Sequence, residues 1–326
     1  MVNTILLPTS GGHRLKPKLF TEYAPFVFRE IRKIYGISDT DYLNSIGIET
    51  FLFKLLFCGE FNSYRTMGSH GKSGSVFFHT YDSQFMIKTI KQKEAECLLE
   101  KLPQYYQYLS SNTSSLLLPF LALYTISDFK KEEEKLYICV MPNLFTTSNS
   151  IDEIFDLKGS TLDRTTPLES RKPGVPLKDL DYGDRVMIFS PEVCSFLNNQ
   201  IKEDTTFLEK HFETMDYSFL IGIHKVTDKT TGIPTQLEEL RTTTDGGVLS
   251  QYGDRIYYLG IIDYLITFDK TKAVEGLIKR TFTMDEEVSS VSPHNYAIRF
   301  CQYLEKKLWF PGSTKIFLTP TNTQNQ

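Results

Sequence analysis

Five charged residues stand within or at the ends of apolar runs in this chain. Lys88 lies within "FMIKTI", Asp156 and Lys158 follow "SIDEIF", Asp216 precedes "YSFLIGI" and Asp263 follows "YYLGII". Runs of this kind read as buried strands, and a charged side chain where such a strand gives out is delivered to the mouth of a cleft. Lysines and carboxylates delivered to one cleft suit phosphoryl transfer. That reaction needs cations against phosphate oxygens, a carboxylate that holds Mg²⁺ together with phosphate and water oxygens, and positioning more than covalent chemistry. Taken singly, each Asp reads more readily as a turn or capping residue. Their joint occurrence carries the argument.

The stretch "GSHGKSGSVFFHTYDSQFMIKTI", from Gly68 to Ile90, raises the question of a phosphate cradle. "GKS" at Gly71 to Ser73 invites a P-loop reading, but Thr66 stands where that motif needs its first glycine, and no helix follows to face the phosphates. Ser75 to Tyr81 and Gln84 to Ile90 are rich in β-branched and aromatic residues around a "YDS" turn, which predicts a hairpin. Gly71, Ser73, Gly74 and Ser75 then form a glycine-rich loop beside that hairpin, with Lys88 placed to reach back from its second strand. An ordinary turn is the alternative reading.

These residues need elements to position them. Lys18 to Ile46 is expected to be helical, with Phe26, Ile31 and Ile34 on one side. "QKEAECLLEKLPQYYQYLSS" predicts a helix under a sheet, broken or bent at Pro103. "LLLPFLALYTIS" and "KLYICVMPNLF" predict strands that extend the hairpin into an antiparallel sheet. After Phe145 come a polar linker, "FDLKGSTLDR", a turn-rich stretch to about Val175, a helix from Pro191 to Phe212, and strands in "DYSFLIGIH" and "YYLGIIDYL" with a polar insertion between them. A last helix is expected from Pro293 to Leu308, then a loose tail.

The 326 residues, 40% hydrophobic and 23% charged, suffice for a sizeable core. A net charge of −4 argues against broad nucleic-acid binding. The cysteines, Cys58, Cys97, Cys139, Cys194 and Cys301, are odd in number and lack a C-x-x-C pair, so neither a disulfide framework nor a zinc site is indicated, and a cytoplasmic setting is expected. The six histidines show no metal-ligand spacing. His224, at the end of "LIGIH", reads more readily as structural than functional.

The strings "GKSGSVFF", "FMIKTI", "KEAE", "FDLKGSTLDR", "KDLDY", "MDYSFLIGIH" and "GIIDYL", in this order, closely resemble the phosphatidylinositol phosphate kinase family. The resemblance runs from about Phe20 to Lys307. It implies an α+β fold related to protein kinases, with an N-terminal lobe over 18–145, a C-terminal catalytic lobe over 146–310 that contains an activation loop over about 267–293, and a tail over 311–326. It implies ATP and Mg²⁺ (or Mn²⁺) as cofactors. Carried over by position, Gly71 to Ser75 covers the ATP phosphates, Lys88 grips an α- or β-phosphate oxygen, and Glu96 of "KEAE" is its helix partner. Asp216 matches the catalytic Asp near the attacking hydroxyl, Asp263 the Mg²⁺ ligand, and Lys158 a lysine that stabilises transferred charge. Asp156 is placed with this catalytic group, and Met141 and Asn143 beside the adenine. The H-R-D, D-F-G and A-P-E signatures of protein kinases are absent.

The same resemblance places Lys272, Glu275, Lys279 and Arg280 on the lipid headgroup, in a segment that folds onto the membrane. Only Lys272 fills a lysine pair expected there, with Ala273 in the second place. Glu275 matches the Glu of family members that phosphorylate phosphatidylinositol 4-phosphate at the 5-position, whereas "GIIDYLITFDK" and "VSPHNYAIRFC" are similar to the branch that uses the 3-phosphate. Pro142 removes a backbone donor at the expected hinge. The expectation is a 5-kinase of a phosphatidylinositol monophosphate at the cytosolic face of an anionic membrane; many family members dimerise through the N-terminal lobe, and the sequence leaves a homodimer open here. The 4-phosphate is the expected substrate, and the alternatives are a 5-kinase of phosphatidylinositol 3-phosphate or a weakly active phosphoinositide-binding scaffold of the same fold.

Overall fold

The computed structural model describes residues 2–7, 18–46, 66–67, 75–128, 131–227, 246–265 and 292–310. In chain order the elements are β1 (Val2–Leu7), β2 (Lys18–Tyr23), α1 (Pro25–Ile34), α2 (Asp39–Ile46), β3 (Thr66–Met67), β4 (Phe77–His79), β5 (Phe85–Ile90), α3 (Gln92–Ser111), β6 (Ala122–Asp128) and β7 (Lys131–Pro142). Then come β8 (Glu153–Leu157), α4 (Asp179–Tyr182), β9 (Met187–Ile188), α5 (Pro191–Phe207), a π-helical turn (Leu208–Phe212), β10 (Ser218–Lys225), β11 (Val248–Leu249), β12 (Arg255–Ile262), α6 (Pro293–Lys307) and β13 (Leu308–Trp309).

Helices and antiparallel sheets are segregated, an α+β arrangement. A seven-stranded sheet has the order β1-β2-β6-β7-β5-β4-β3, and a four-stranded sheet the order β11-β12-β10-β8. Every strand pairing in both is antiparallel among the described residues, and the short β13–β9 pair is parallel. The expected hairpin forms as β4 and β5, which pair Phe77 with Lys88, and Ser83 takes a positive φ of 59° in the turn.

Lys18 to Ile46 is not one helix. Lys18–Tyr23 is a strand between β1 and β6, and α1 starts only at Pro25, with Ala24 at a φ of 44°. Pro25 fits the first helical turn because the N–H it lacks has no partner there. Ile31 is buried as expected, but Phe26 is exposed and Phe28 takes the inward position. Arg32, on the same buried side, donates to the Leu121 carbonyl at 2.9 Å and lies over the Tyr42 ring, which ties α1 to the sheet.

In α3, Ala95, Leu98, Leu102, Tyr105 and Leu109 form the buried stripe, and the helix continues through Pro103 to Ser111. The buried residues form one core that runs from α1 and the large sheet through α3 into the four-stranded sheet and α5. Two glycines allow the crossing after β7 to lie against the smaller sheet. A Cβ at Gly222 would sit 2.4 Å from the Phe145 ring, and one at Gly260 would sit 3.3 Å from Leu144. No helix among the described residues is long and apolar enough to cross a membrane.

Candidate active site

Three strands of the small sheet end on one side. The antiparallel register pairs Leu157 with Phe219 and Ser218 with Ile262, so the residues just beyond these ends, Lys158, Asp216 and Asp263, share a rim. Lys88 arrives from β5 of the large sheet. Its ammonium meets the Asp263 carboxylate at 2.5 Å, and the Lys158 ammonium meets the Asp216 carboxylate at 2.8 Å.

The Lys158 charge also reaches Asp263. The result is a row of alternating sign, Lys88, Asp263, Lys158 and Asp216. Burial opposes ionisation of Asp263, but Lys88 and then Lys158 override it and hold the carboxyl below its usual range. Burial likewise opposes the Lys88 charge, and Asp263 and neighbouring groups raise its pKa above the ordinary lysine value. Both ions are therefore present at neutral pH.

Asp216 and Asp263 adopt left-handed backbone, with φ of 66° and 62°. Such conformations cost about 1 kcal/mol or more in non-glycine residues, and the surrounding structure must hold them. Around Asp263 the holding group is aromatic. Tyr264 is buried, its hydroxyl donates to the Leu118 carbonyl at 2.7 Å, and it lies 2.8 Å from the Tyr105 hydroxyl of α3. Its ring lies edge-on to Phe120 and Phe212, at 5.1 and 6.0 Å between centroids. Phe212 closes the π-helical turn just upstream of Asp216. Beside Asp216, Tyr217 is packed against Tyr296 and Phe300 of α6, and the Tyr296 hydroxyl donates to the Tyr217 carbonyl.

Lys158 is positioned from below. Asp179, at the start of α4, accepts the Lys158 and Gly159 amides at 2.9 and 2.8 Å and the Arg164 guanidinium at 2.6 Å. Gly159 has a φ of 67°, and a Cβ there would lie 2.9 Å from Tyr303. Arg164 also binds the Asp156 carboxylate at 2.6 Å.

Three expectations are corrected here. Asp156 does not join the row of charges at the rim: its carboxylate is engaged by Arg164, so it braces the Lys158 loop. Glu96 does not pair with Lys88, because it is exposed on the outer side of α3 and bonded to Gln92 at 2.8 Å. Glu94 is the α3 carboxylate whose charge reaches Lys88, although it also accepts the Lys91 amide at 2.7 Å. Asn143 offers no free backbone amide to a base, since that amide donates to the Gln84 carbonyl at 2.8 Å, while its side chain donates to the Ser83 carbonyl and accepts from the Phe145 amide.

Met141 is buried at the end of β7, opposite Met86. Ser75 is buried just before β4. Gly71, Ser73, Gly74, Lys272, Glu275, Lys279 and Arg280 lie outside the described residues. His224 donates from Nδ1 to the Ser150 carbonyl at 2.8 Å, a structural contact. Asp179, Arg164, Glu94 and Tyr264 were not singled out from the sequence. Asp179 and Tyr264 lie within "KDLDY" and "GIIDYL", but only the fold shows what each holds.

The residues fit a divalent cation brought in with a nucleotide. Asp263 offers a partly exposed carboxylate on the rim, and no group of three or more His, Cys, Asp or Glu among the described residues makes an all-protein metal site. A Mg²⁺ ion held by few carboxylates plus phosphate oxygens and water needs no such group.

Comparison with known proteins places the chain in a family. The family model for phosphatidylinositol-4-phosphate 5-kinase matches residues 58–246 and 232–307. A probable phosphatidylinositol phosphate kinase of Dictyostelium discoideum is 32% identical over 90% of this chain and 48% of its own length. The phosphatidylinositol 4-phosphate 5-kinase of Plasmodium falciparum is 30% identical over 94% of this chain and 19% of its own length. The human phosphatidylinositol 4-phosphate 5-kinase type-1 beta is 29% identical over 95% of this chain and 63% of its own length. The chain thus spans less than two thirds of the length of each of these relatives. The matched stretch includes Lys88, Lys158, Asp216 and Asp263, and with the family model covering most of its length, the chain belongs to the phosphatidylinositol-4-phosphate 5-kinase family.

Proposed function

We propose that the chain transfers the γ-phosphate of ATP to the inositol 5-hydroxyl of a phosphatidylinositol monophosphate, with the 4-phosphate as substrate, at an anionic membrane surface. The row Lys88, Asp263, Lys158 and Asp216 at one rim is the observation that carries it. Glu275, by its resemblance to the 4-phosphate 5-kinases, supports the choice of lipid.

In this reading Lys88 would exchange its contact with Asp263 for a nucleotide phosphate oxygen, and the freed Asp263 carboxylate would hold Mg²⁺. The ion, when bound, would neutralise phosphate charge. Asp216 is assigned to the attacking hydroxyl, whose proton it accepts. Lys158, already placed against Asp216, faces the transferred phosphoryl group and offsets the charge that develops on its oxygens. The two lysines and Asp263 order the reactants, and most of the rate enhancement comes from positioning and charge.

A transfer assay with labelled ATP tests this reading on vesicles that offer the 3-, 4- or 5-monophosphate separately, with Lys88→Ala beside the wild type. Product from the 4-phosphate that disappears in the variant is the expected result. Preference for the 3-phosphate would reassign the substrate. No product from any of the three, with vesicle binding intact, would favour the scaffold reading, for which the missing N–H of Pro142 and the occupied amide of Asn143 speak.

A further inference from the structure

We propose that the chain carries a second anion site, remote from the phosphotransfer rim, that takes a phosphate-bearing ligand in a cavity at the opposite end of the four-stranded sheet. The cavity is about 410 Å³ and is lined by Glu153, Tyr182, Arg185, Lys225, Arg255 and Tyr257. β10 runs from Ser218, near Asp216, to Lys225. At roughly 3.3 Å per residue its ends lie about 25 Å apart, so the cavity is separate from the catalytic row.

Three cations line the cavity, two of them on Glu153 and the third, Arg255, beside Asp254. Glu153 divides its oxygens between Arg185 at 3.1 Å and Lys225 at 3.4 Å, which keeps both cations beside the opening without a short or bidentate bond to either. Arg185 is further placed over the Phe155 ring at 5.2 Å. Arg255 binds Asp254 through one terminal nitrogen at 2.8 Å. The side chains of Arg185, Lys225 and Arg255 are 49, 52 and 43% exposed, so an incoming anion can reach each of them.

Tyr182 and Tyr257 are buried in the wall. Burial pushes both phenols up, so they keep their O–H groups at neutral pH. The volume lies within the range of about 300–1,000 Å³ typical of small-ligand sites. Guanidinium forks match the geometry of phosphate oxygens, and a lysine adds a point charge. A soluble phosphate ester and a phosphorylated lipid headgroup share this chemistry.

The test is calorimetric titration of the full chain with inorganic pyrophosphate, with a chelator present to remove divalent ions. Wild type is compared with Lys225→Ala/Arg255→Ala, with Lys225→Gln/Arg255→Gln as a milder pair, with Lys88→Ala, and with Lys202→Ala/Lys210→Ala as a control of equal charge loss. The expected result is at least tenfold weaker binding in both Lys225/Arg255 pairs, with that binding retained in the Lys88 variant and in the control. Unchanged binding in both pairs, or an equal loss in the control, would overturn the proposal. Flotation with vesicles containing a phosphatidylinositol monophosphate then separates the sources. A several-fold loss of retention in the Lys225/Arg255 pair identifies a lipid headgroup. Unchanged retention, with pyrophosphate binding lost, identifies a soluble ligand.

Discussion

Lys158 grips Asp216 twice: its ammonium donates to the carboxylate at 2.8 Å and to the backbone carbonyl at 2.6 Å. One lysine thus fixes both the side chain and the left-handed backbone of Asp216, the residue proposed to accept the proton of the attacking hydroxyl. Lys158→Met should therefore lower kcat by about 10²-fold or more, as expected for loss of a charge that acts in the transition state. The KM for ATP should change little. Steady-state kinetics would contradict this if KM rose and kcat held.

Tyr264→Phe keeps the ring among Phe120 and Phe212 but removes the hydroxyl that bonds Leu118 and Tyr105. The buried Leu118 carbonyl loses a donor, and thermal unfolding should show a loss of about 1–3 kcal/mol. Because Tyr264 follows Asp263 directly, kcat should fall beyond what reduced folding explains, measured well below the melting temperature.

Gly222→Ala places a methyl group 2.4 Å from the Phe145 ring. The crossing that follows β7 must shift to make room, and overpacking of this kind costs about 1–3 kcal/mol. Nucleotide affinity, measured by titration, should weaken with it. An unchanged melting temperature would show that the crossing adapts freely.

Asp204 of α5 is fully buried and joins α5 to the end of α3 and the segment after it. It accepts from the Tyr108 hydroxyl at 2.6 Å, the Leu116 amide at 2.7 Å and Gln200 at 3.1 Å. Burial pushes its carboxyl up to about 6, and these hydrogen bonds only partly offset the rise. A raised acid binds its proton more tightly folded than unfolded. Its favourable contribution is complete below the usual carboxylate range near 4 and is lost as pH rises through about 6. Asp204→Asn should accordingly gain melting temperature relative to wild type as pH rises from 5 to 7, and the difference should level off above 7. A pH-independent difference would contradict the assignment.

Much of the charged row at the rim was legible because each member stands in or beside an apolar strand, a signal that survives without coordinates. Pairing was not legible. Glu94 and Glu96 both sit in "KEAE", and only the phase of α3, set by Ala95, Leu98 and Leu102 facing inward, places Glu94 toward Lys88 and Glu96 toward solvent. Asp156 shares a short run with Lys158, yet Arg164 captures it from a loop eight residues away. At the N-terminus, "KLFTEYAPFVFREIRKI" carries apolar residues compatible with a continuous helix. The partners that make its first part a strand, β1 and β6, are remote from helix-period counting.

The most direct test of the central claim is single-turnover transfer from labelled ATP to vesicles containing phosphatidylinositol 4-phosphate, comparing wild type with Asp263→Asn and following vesicle binding in parallel. Transfer should fall by about 10³-fold or more in the variant, as expected when a charge essential to phosphate neutralisation is removed, while vesicle binding stays as in wild type. Transfer by Asp263→Asn within a few-fold of wild type would contradict the placement of the phosphotransfer centre at this rim.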